Sequence, residues 1–422
     1  MGRNRDFRLL WIGETTSRLG SNVTTVALPL VAVVTLHAGT FAVGALSAAV
    51  WLPWLVIGLP AGAWVDRLPR RPVMLVCDAV SAVLFVSVPV AAWLGVLSLA
   101  QLLVVAVLTG AAGVFFFTAY RVYLPSLVGQ DELAGAIGKT GSSESAAQLV
   151  GRALGGVLAQ WFGAVLSLLA DPVTFLVSAV CLVSIRSKET AVPQRIPGHS
   201  LRRDIGEGLR WLRRDPYLRG LALFGGVGNL GLTGYAALQV VFLVRVIGVS
   251  ASAVGALVAV TGAGGVVGAL LVTRITRRWG TARGLVWTLG FTLPFGLLIP
   301  LSGNGFRLLF LIVGGFVTGA GVVAANVIAG TFRQVYCPAR LRGRVVASSA
   351  LISNGAGPLG ALLAGALGAA IGVRPTVWVM MGILLCAGLI VLAGPIRHGR
   401  ELPATPESDW RDSGPVPDRT GG

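Results

Sequence analysis

Charge is scarce in this chain: only 12% of its 422 residues are Asp, Glu, Lys or Arg, about half the roughly 25% of an average soluble domain. Lysine is almost missing, with Lys139 and Lys188 the two examples, so nearly all of the 34 basic residues are Arg. With spans rich in Ala, Gly and Val, this usage points to a GC-rich bacterial genome. Cysteine is limited to Cys77, Cys181, Cys337 and Cys386, scattered in apolar runs without pairing or metal-ligand spacing, which excludes a disulfide framework and a zinc site. Histidine is limited to His37, His199 and His398, in loops or at span ends. No nucleophile, base and acid constellation surrounds any of them, so no catalytic residue, metal or cofactor is expected and the chain does not read as an enzyme. Gly138-Lys139-Thr140 looks like the end of a phosphate-binding loop, but Leu133 stands where the earlier Gly is required and no strand precedes it.

What is abundant is apolar sequence: hydrophobic residues make up 55% of the chain and the mean hydropathy is +0.80. Spans of roughly 20 residues cross a bilayer, and the pattern predicts twelve. Six fall near Leu10 to Leu36, Phe41 to Gly62, Pro72 to Gly95, Leu99 to Ala119, Ser142 to Phe162 and Val165 to Ile185. Six more fall near Gly220 to Val246, Ser252 to Val272, Gly284 to Leu301, Arg307 to Thr331, Val345 to Gly372 and Thr376 to Ile396. The first contains Glu14 and Arg18 and no trusted cleavage pattern, so it is expected to be retained.

The net charge of +17 raises the question of a nucleic-acid partner, and its placement argues against one. Arg3, Arg5 and Arg8 precede the first span; Arg67, Arg70 and Arg71 follow the second; Arg274, Arg277, Arg278 and Arg283 follow the eighth; Arg333, Arg340, Arg342 and Arg344 follow the tenth. The alternate connections, such as His37 to Thr40 and Gly95 to Ser98, are nearly uncharged. This positive-inside bias predicts both termini in the cytoplasm. Residues 186–219 read as a cytoplasmic linker in which Leu201, Ile205, Leu209 and Leu212 recur at helical spacing among Arg and acidic residues, an amphipathic helix expected on the membrane surface. Residues 398–422 are expected to form a disordered tail.

The sequence repeats. Gly62-Ala-Trp-Val-Asp66-Arg67-Leu-Pro-Arg70-Arg71 has a weaker copy at Ala269-Leu-Leu-Val-Thr273-Arg274-Ile-Thr-Arg277-Arg278. Arg121-Val-Tyr-Leu-Pro125 is echoed by Arg333-Gln-Val-Tyr-Cys-Pro338, and Leu154-Gly155-Gly156 by Leu359-Gly360-Ala361. Two six-span halves, 1–185 and 220–397, follow from this. Together with the motif around Gly62, Asp66, Arg67, Arg70 and Arg71, the pattern resembles the major facilitator superfamily. The stretches Arg8 to Gly20 and Ile205 to Pro216 are similar to its bacterial exporter branch, which includes enterobactin and macrolide efflux proteins.

The resemblance implies an all-α membrane protein with twelve transmembrane helices in two pseudo-symmetric halves, in which the Asp66 motif gates the cytoplasmic end. Gly151-Arg152-Ala-Leu-Gly155-Gly156 resembles the fifth-span antiporter motif, with Arg152 in place of Pro. That places a guanidinium in the membrane, at a cost of at least about 2.5 kcal/mol that a partner or a wet cavity must offset. Glu14 and Arg18, four residues apart, suit a structural ion pair. Glu144, Gln148 and Arg152 form a polar stripe on the fifth span, and Asp78 lies in the third with Ser81, not Arg, after it. Glu14, Arg18, Asp78, Glu144 and Arg152 are therefore the coupling candidates. Asp171, followed by Pro172, reads as a helix cap.

Trp51, Trp54, Tyr120, Asn229, Tyr235, Gln239 and Asn326 are candidates for lining a solute cavity. The function expected is proton-coupled antiport of a drug-like compound or secreted metabolite by a monomer in the bacterial inner membrane. Its partners are then a small-molecule substrate, protons and the lipid bilayer. A proton-coupled importer of the same fold and a non-transporting membrane scaffold or receptor are the alternatives.

Overall fold

A computed structural model describes residues 5–65, 67–187 and 201–403. The helices are α1 (Arg5–Leu30), α2 (Thr40–Val56), α3 (Gly58–Val65), α4 (Arg70–Trp93), α5 (Leu99–Leu127), α6 (Gln130–Ser167), α7 (Ala170–Ser184), α8 (Leu201–Arg214), α9 (Pro216–Val241), α10 (Ala251–Trp279), α11 (Thr281–Thr292), α12 (Leu308–Tyr336), α13 (Ala339–Ala370) and α14 (Val373–Ala393). Among the described residues, ten helical segments are long and apolar enough to cross a membrane. Two shorter apolar helices, Thr40–Val56 and Ala170–Ser184, stand where the second and sixth spans are expected. The result is the all-helical membrane fold that the sequence predicts.

Local sequence explains the interruptions. Pro53 and Pro60 flank the break at Ile57, where α2 gives way to α3. Gly163 adopts φ 81°, ψ 158° inside α6, a backbone conformation that side chains with a Cβ disfavour, and the chain turns there toward α7. Past Thr292 the ninth span tightens into a 3₁₀ helix, Leu293–Leu301, holding Pro294 and Pro300, whose missing N–H groups weaken a regular α ladder. α1 and α9 both finish in a π turn, Val31–Thr35 and Phe242–Ile247, a shared irregularity in keeping with the sequence repeat. Asp215 caps α9 by accepting from the Leu218 amide at 2.8 Å, with Pro216 in the first turn.

Lipid is as apolar as leucine, so helices in a membrane associate through close packing of small residues and polar contacts. Two glycine pairs do this between α1–α7 and α9–α14. A Cβ on Gly44 of α2 would stand 2.6 Å from Gly365 Cα of α13, and one on Gly156 of α6 would stand 2.6 Å from Gly255 Cα of α10. Nearby, Arg245 donates to the Ala38 carbonyl at 2.7 Å, and the Ser252 amide donates to Gln160 Oε1 at 3.2 Å. These contacts gather at the end of the bundle that carries the α1–α2 turn. Further along, a Cβ on Gly355 would stand 3.0 Å from Leu55 Cδ1, and one on Gly262 would stand 3.3 Å from Arg152 Nη1.

The linker helix α8 is clamped to the bundle. Gly208 lies against the Arg344 backbone, Glu207 pairs with Arg344, and Leu212 is buried. Tyr336 donates to Asp215 Oδ2 at 2.6 Å, fixing the chain where it enters α9. The first residues of the expected tail are also held. The Arg400 carbonyl accepts from the Ala282 amide at 3.1 Å, and the Glu401 carboxylate accepts from the Thr281 amide at 2.9 Å and its hydroxyl at 2.8 Å. These bonds hold the exposed Glu401 carboxyl below its usual range. A carboxylate with a lowered pKa stabilises its contact above the ordinary value and loses that contribution as pH falls through the lowered one. Acidification through that range is therefore expected to release residues 400–402 first, read as lost protection of the Thr281 amide relative to its intrinsic exchange rate at the same pH; Glu401→Gln should show the low protection already at neutral pH. Residues 188–200 and 404–422, and with them most of the expected tail, lie outside the described residues.

Candidate functional site

A cavity of about 510 Å³ opens between α1, α2, α4, α5, α6, α7 and α9. Its α1 wall is a polar stripe, Glu14, Ser17, Arg18, Ser21 and Thr24, spaced so that all face one side of the helix. Trp51 and Trp54 of α2 and Phe116 and Phe117 of α5 supply aromatic surface. Asp78 of α4, Arg152 of α6, Asp171 and Phe175 of α7 and Thr233 of α9 complete the parts that bear on chemistry.

Three ionic arrangements meet there. Arg18 Nε lies 2.6 Å from Glu14 Oε1 and its Nη1 2.7 Å from Glu144 Oε1, so one guanidinium joins α1 to α6 through two carboxylates. The Arg18 guanidinium also stands 5.7 Å from the centre of the Phe117 ring, within cation–π range. Asp78 is 1% exposed, and neither carboxyl oxygen makes a hydrogen bond of good geometry among the described residues, the Ser178 hydroxyl being its polar neighbour on α7. Arg152 is half-buried and forms no ion pair among the described residues; its Nη1 would lie 3.3 Å from a Cβ on Gly262. Four acids, Glu14, Asp78, Glu144 and Asp171, thus share one region with two guanidiniums, Arg18 and Arg152.

Of the coupling candidates, Glu14, Arg18, Asp78 and Arg152 line the cavity, and Glu144 reaches it through Arg18. Gln148 is exposed. Of the solute-cavity candidates, Trp51 and Trp54 are on its wall. Tyr120 and Tyr235 are buried in the packing, Asn229 donates to the Ser353 carbonyl at 2.6 Å and ties α9 to α13, Gln239 is half-buried and Asn326 is exposed on α12. In the gating motif, Asp66 lies outside the described residues, Gly62 is half-buried and Arg67 exposed. Arg70 is buried, and Arg71 donates to the Val183 carbonyl at the end of α7 at 2.7 Å.

Asp171 differs from its expected role. It sits in the first turn of α7, 1% exposed, but its oxygens accept from Thr24 at 2.7 Å and Ser21 at 3.3 Å across the interface with α1. α7 begins without a side-chain cap, with Leu169 at the N-cap position. The i, i+4, i+7 spacing of Ser17, Ser21 and Thr24 was the signal that could have found this partner.

Comparison with known proteins agrees with this architecture. The sequence profile of the Major Facilitator Superfamily matches residues 10–359 and 236–416. The multidrug efflux pump Tap of Mycolicibacterium fortuitum is 29% identical over 419 residues, covering 94% of this chain and 98% of the relative. Its namesake from Mycobacterium tuberculosis is 30% identical over 384 residues, covering 86% and 87%. A mutant of the nucleoside transporter NupG superposes with a TM-score of 0.78 at 12% identity, covering 92% of this chain and 99% of that one. The chain is therefore a multi-pass membrane transporter and not an enzyme: it belongs to the Major Facilitator Superfamily.

Proposed function

We propose that this transporter exports an amphipathic, drug-like compound or secreted metabolite in exchange for protons. The observation that carries the coupling is Asp78, a buried carboxyl with no ion pair among the described residues, on the wall of a cavity that also presents tryptophans and an excess of acids. Export is supported by the relatives that are multidrug efflux pumps. In this reading the halves 1–185 and 220–397 rock about the cavity, joined by the linker 186–219. The arginine-rich end and both termini face the cytoplasm of a bacterium, and the molecule works as a monomer in the inner membrane. The glycine contacts near the α1–α2 turn then close the outer end. The hairpin around Gly62, Asp66, Arg67, Arg70 and Arg71 gates the inner one.

Protons are sufficient for this task. One proton entering down roughly 100 mV releases about 2.3 kcal/mol, and one pH unit adds about 1.4 kcal/mol. Together they sustain a gradient of several hundred-fold for a neutral solute. In inverted vesicles with an acidic interior, uptake of a fluorescent lipophilic dye should therefore rise with the imposed gradient. Asp78→Asn should bring accumulation back to the level of vesicles without the protein while leaving dye binding in place. Uptake indifferent to the gradient overturns proton coupling, and dye leaving the inverted vesicles as protons leave favours import.

A further inference from the structure

A second cavity, of about 620 Å³, lies away from the site just described, between α10, α11 and α12. Its walls are Trp279, Trp287, Phe291 and Phe316, with Gly268 and Ala324 at the floor. Trp287 and Phe291 are 64% and 65% exposed, on the outer surface of a helix that crosses the membrane, so the groove opens sideways to lipid. From Val267 to Trp279 the α10 wall rises about 18 Å at 1.5 Å per residue, slightly more than half of a hydrocarbon core about 30 Å thick. That is the depth of one leaflet.

The groove ends at the copy of the charged hairpin. Arg274, Arg277 and Arg278 of α10 and Arg283 of α11 are all exposed there, and none forms an ion pair among the described residues. Arg283, Trp287 and Phe291 follow one another at every fourth position, so a cation, an indole and a phenyl ring stand in one column along α11. Glu401 at the same turn spends its carboxylate on Thr281. An apolar slot one leaflet deep, closed at its polar end by free guanidiniums and a tryptophan at interfacial depth, matches a molecule with an acyl chain and an anionic head.

We infer that the α10–α11–α12 groove is a binding site for an anionic phospholipid, with its acyl chain against Trp287 and Phe291 and its headgroup between Arg278 and Arg283. Native mass spectrometry of the detergent-solubilised full chain, titrated with palmitoyl-oleoyl phosphatidylglycerol or phosphatidylcholine, tests this. The wild type should retain one phosphatidylglycerol with a preference of about tenfold or more, given the pull of each arginine on an anionic head. Arg278→Gln with Arg283→Gln should abolish the preference, and Arg278→Lys with Arg283→Lys should keep most of it. Val267→Trp, which fills the slot from a partly exposed position, should release both lipids. Equal retention of the two lipids by the wild type, or a preference that survives both the glutamine pair and the tryptophan, would mean annular lipid only and overturn the inference.

Discussion

Arg18→Ala is expected to lower the thermal midpoint of the purified protein by several degrees and to stop transport. The guanidinium is the single cation held between Glu14 and Glu144, and its loss leaves two carboxylates facing each other across the α1–α6 interface. Removing one partner of a buried ion pair costs about 3–5 kcal/mol. The lower end applies here, because the Glu144 side chain is 43% exposed and water screens its half of the cluster. Lysine offers one ammonium where arginine offers a planar fork, so Arg18→Lys should keep one contact and an intermediate midpoint. The decisive measurement is the cycle: Glu144→Gln added to Arg18→Ala should recover much of the loss, since it removes one of the opposed charges. Additive losses in the double variant would mean that the two residues do not act together.

The part of this cluster that sequence reveals is the local part. Glu14 and Arg18 are four residues apart, and helical geometry alone brings them together. The second acid comes from a residue 126 positions away, and nothing in the spacing of Glu144, Gln148 and Arg152 says which side of α6 meets α1. Asp171 was misleading for a related reason: a carboxyl at the start of a helix has two sinks for its hydrogen bonds, its own amides and the neighbouring helix, and only the second requires knowledge of the neighbour. The spans are apolar around most of their circumference, so their rotation cannot be read from hydrophobicity, and Asn229 and Asn326 face a packing interface and the exterior. The break at Gly163, by contrast, follows from local backbone chemistry and lies beside the expected limit at Phe162, whereas the break at Ile57, four residues past Pro53, falls inside the second expected span. The repeat was legible for the same reason, since it needs only comparison of one stretch with another.

Gly156→Val and Gly44→Val are expected to abolish transport by preventing the bundle from closing at the α1–α2 end. The atoms that an added Cβ meets there are backbone, Gly255 Cα at 2.6 Å and Gly365 Cα at 2.6 Å, so no side-chain rotation relieves the overlap. Overpacking of this kind costs about 1–3 kcal/mol per site, and about 3 kcal/mol moves a two-state ratio more than 100-fold. If the halves rock as proposed, the cost falls on the closed conformer alone, because the same helix faces separate when that end opens. The protein should therefore stay folded, with an ordinary elution profile, while its population shifts. A cysteine at Thr233, on the cavity wall, in a background lacking Cys77, Cys181, Cys337 and Cys386, reports the shift. Membrane-impermeant maleimide should label it from the α1–α2 side in the valine variants and from the opposite side in the parent. Gly382→Val serves as the control, since a Cβ there meets nothing within 4 Å, and it should leave both labelling and transport unchanged. Unaltered labelling with normal transport in Gly156→Val would mean that closure of that end does not depend on the close α6–α10 contact, and the outer gate assigned to it would fall.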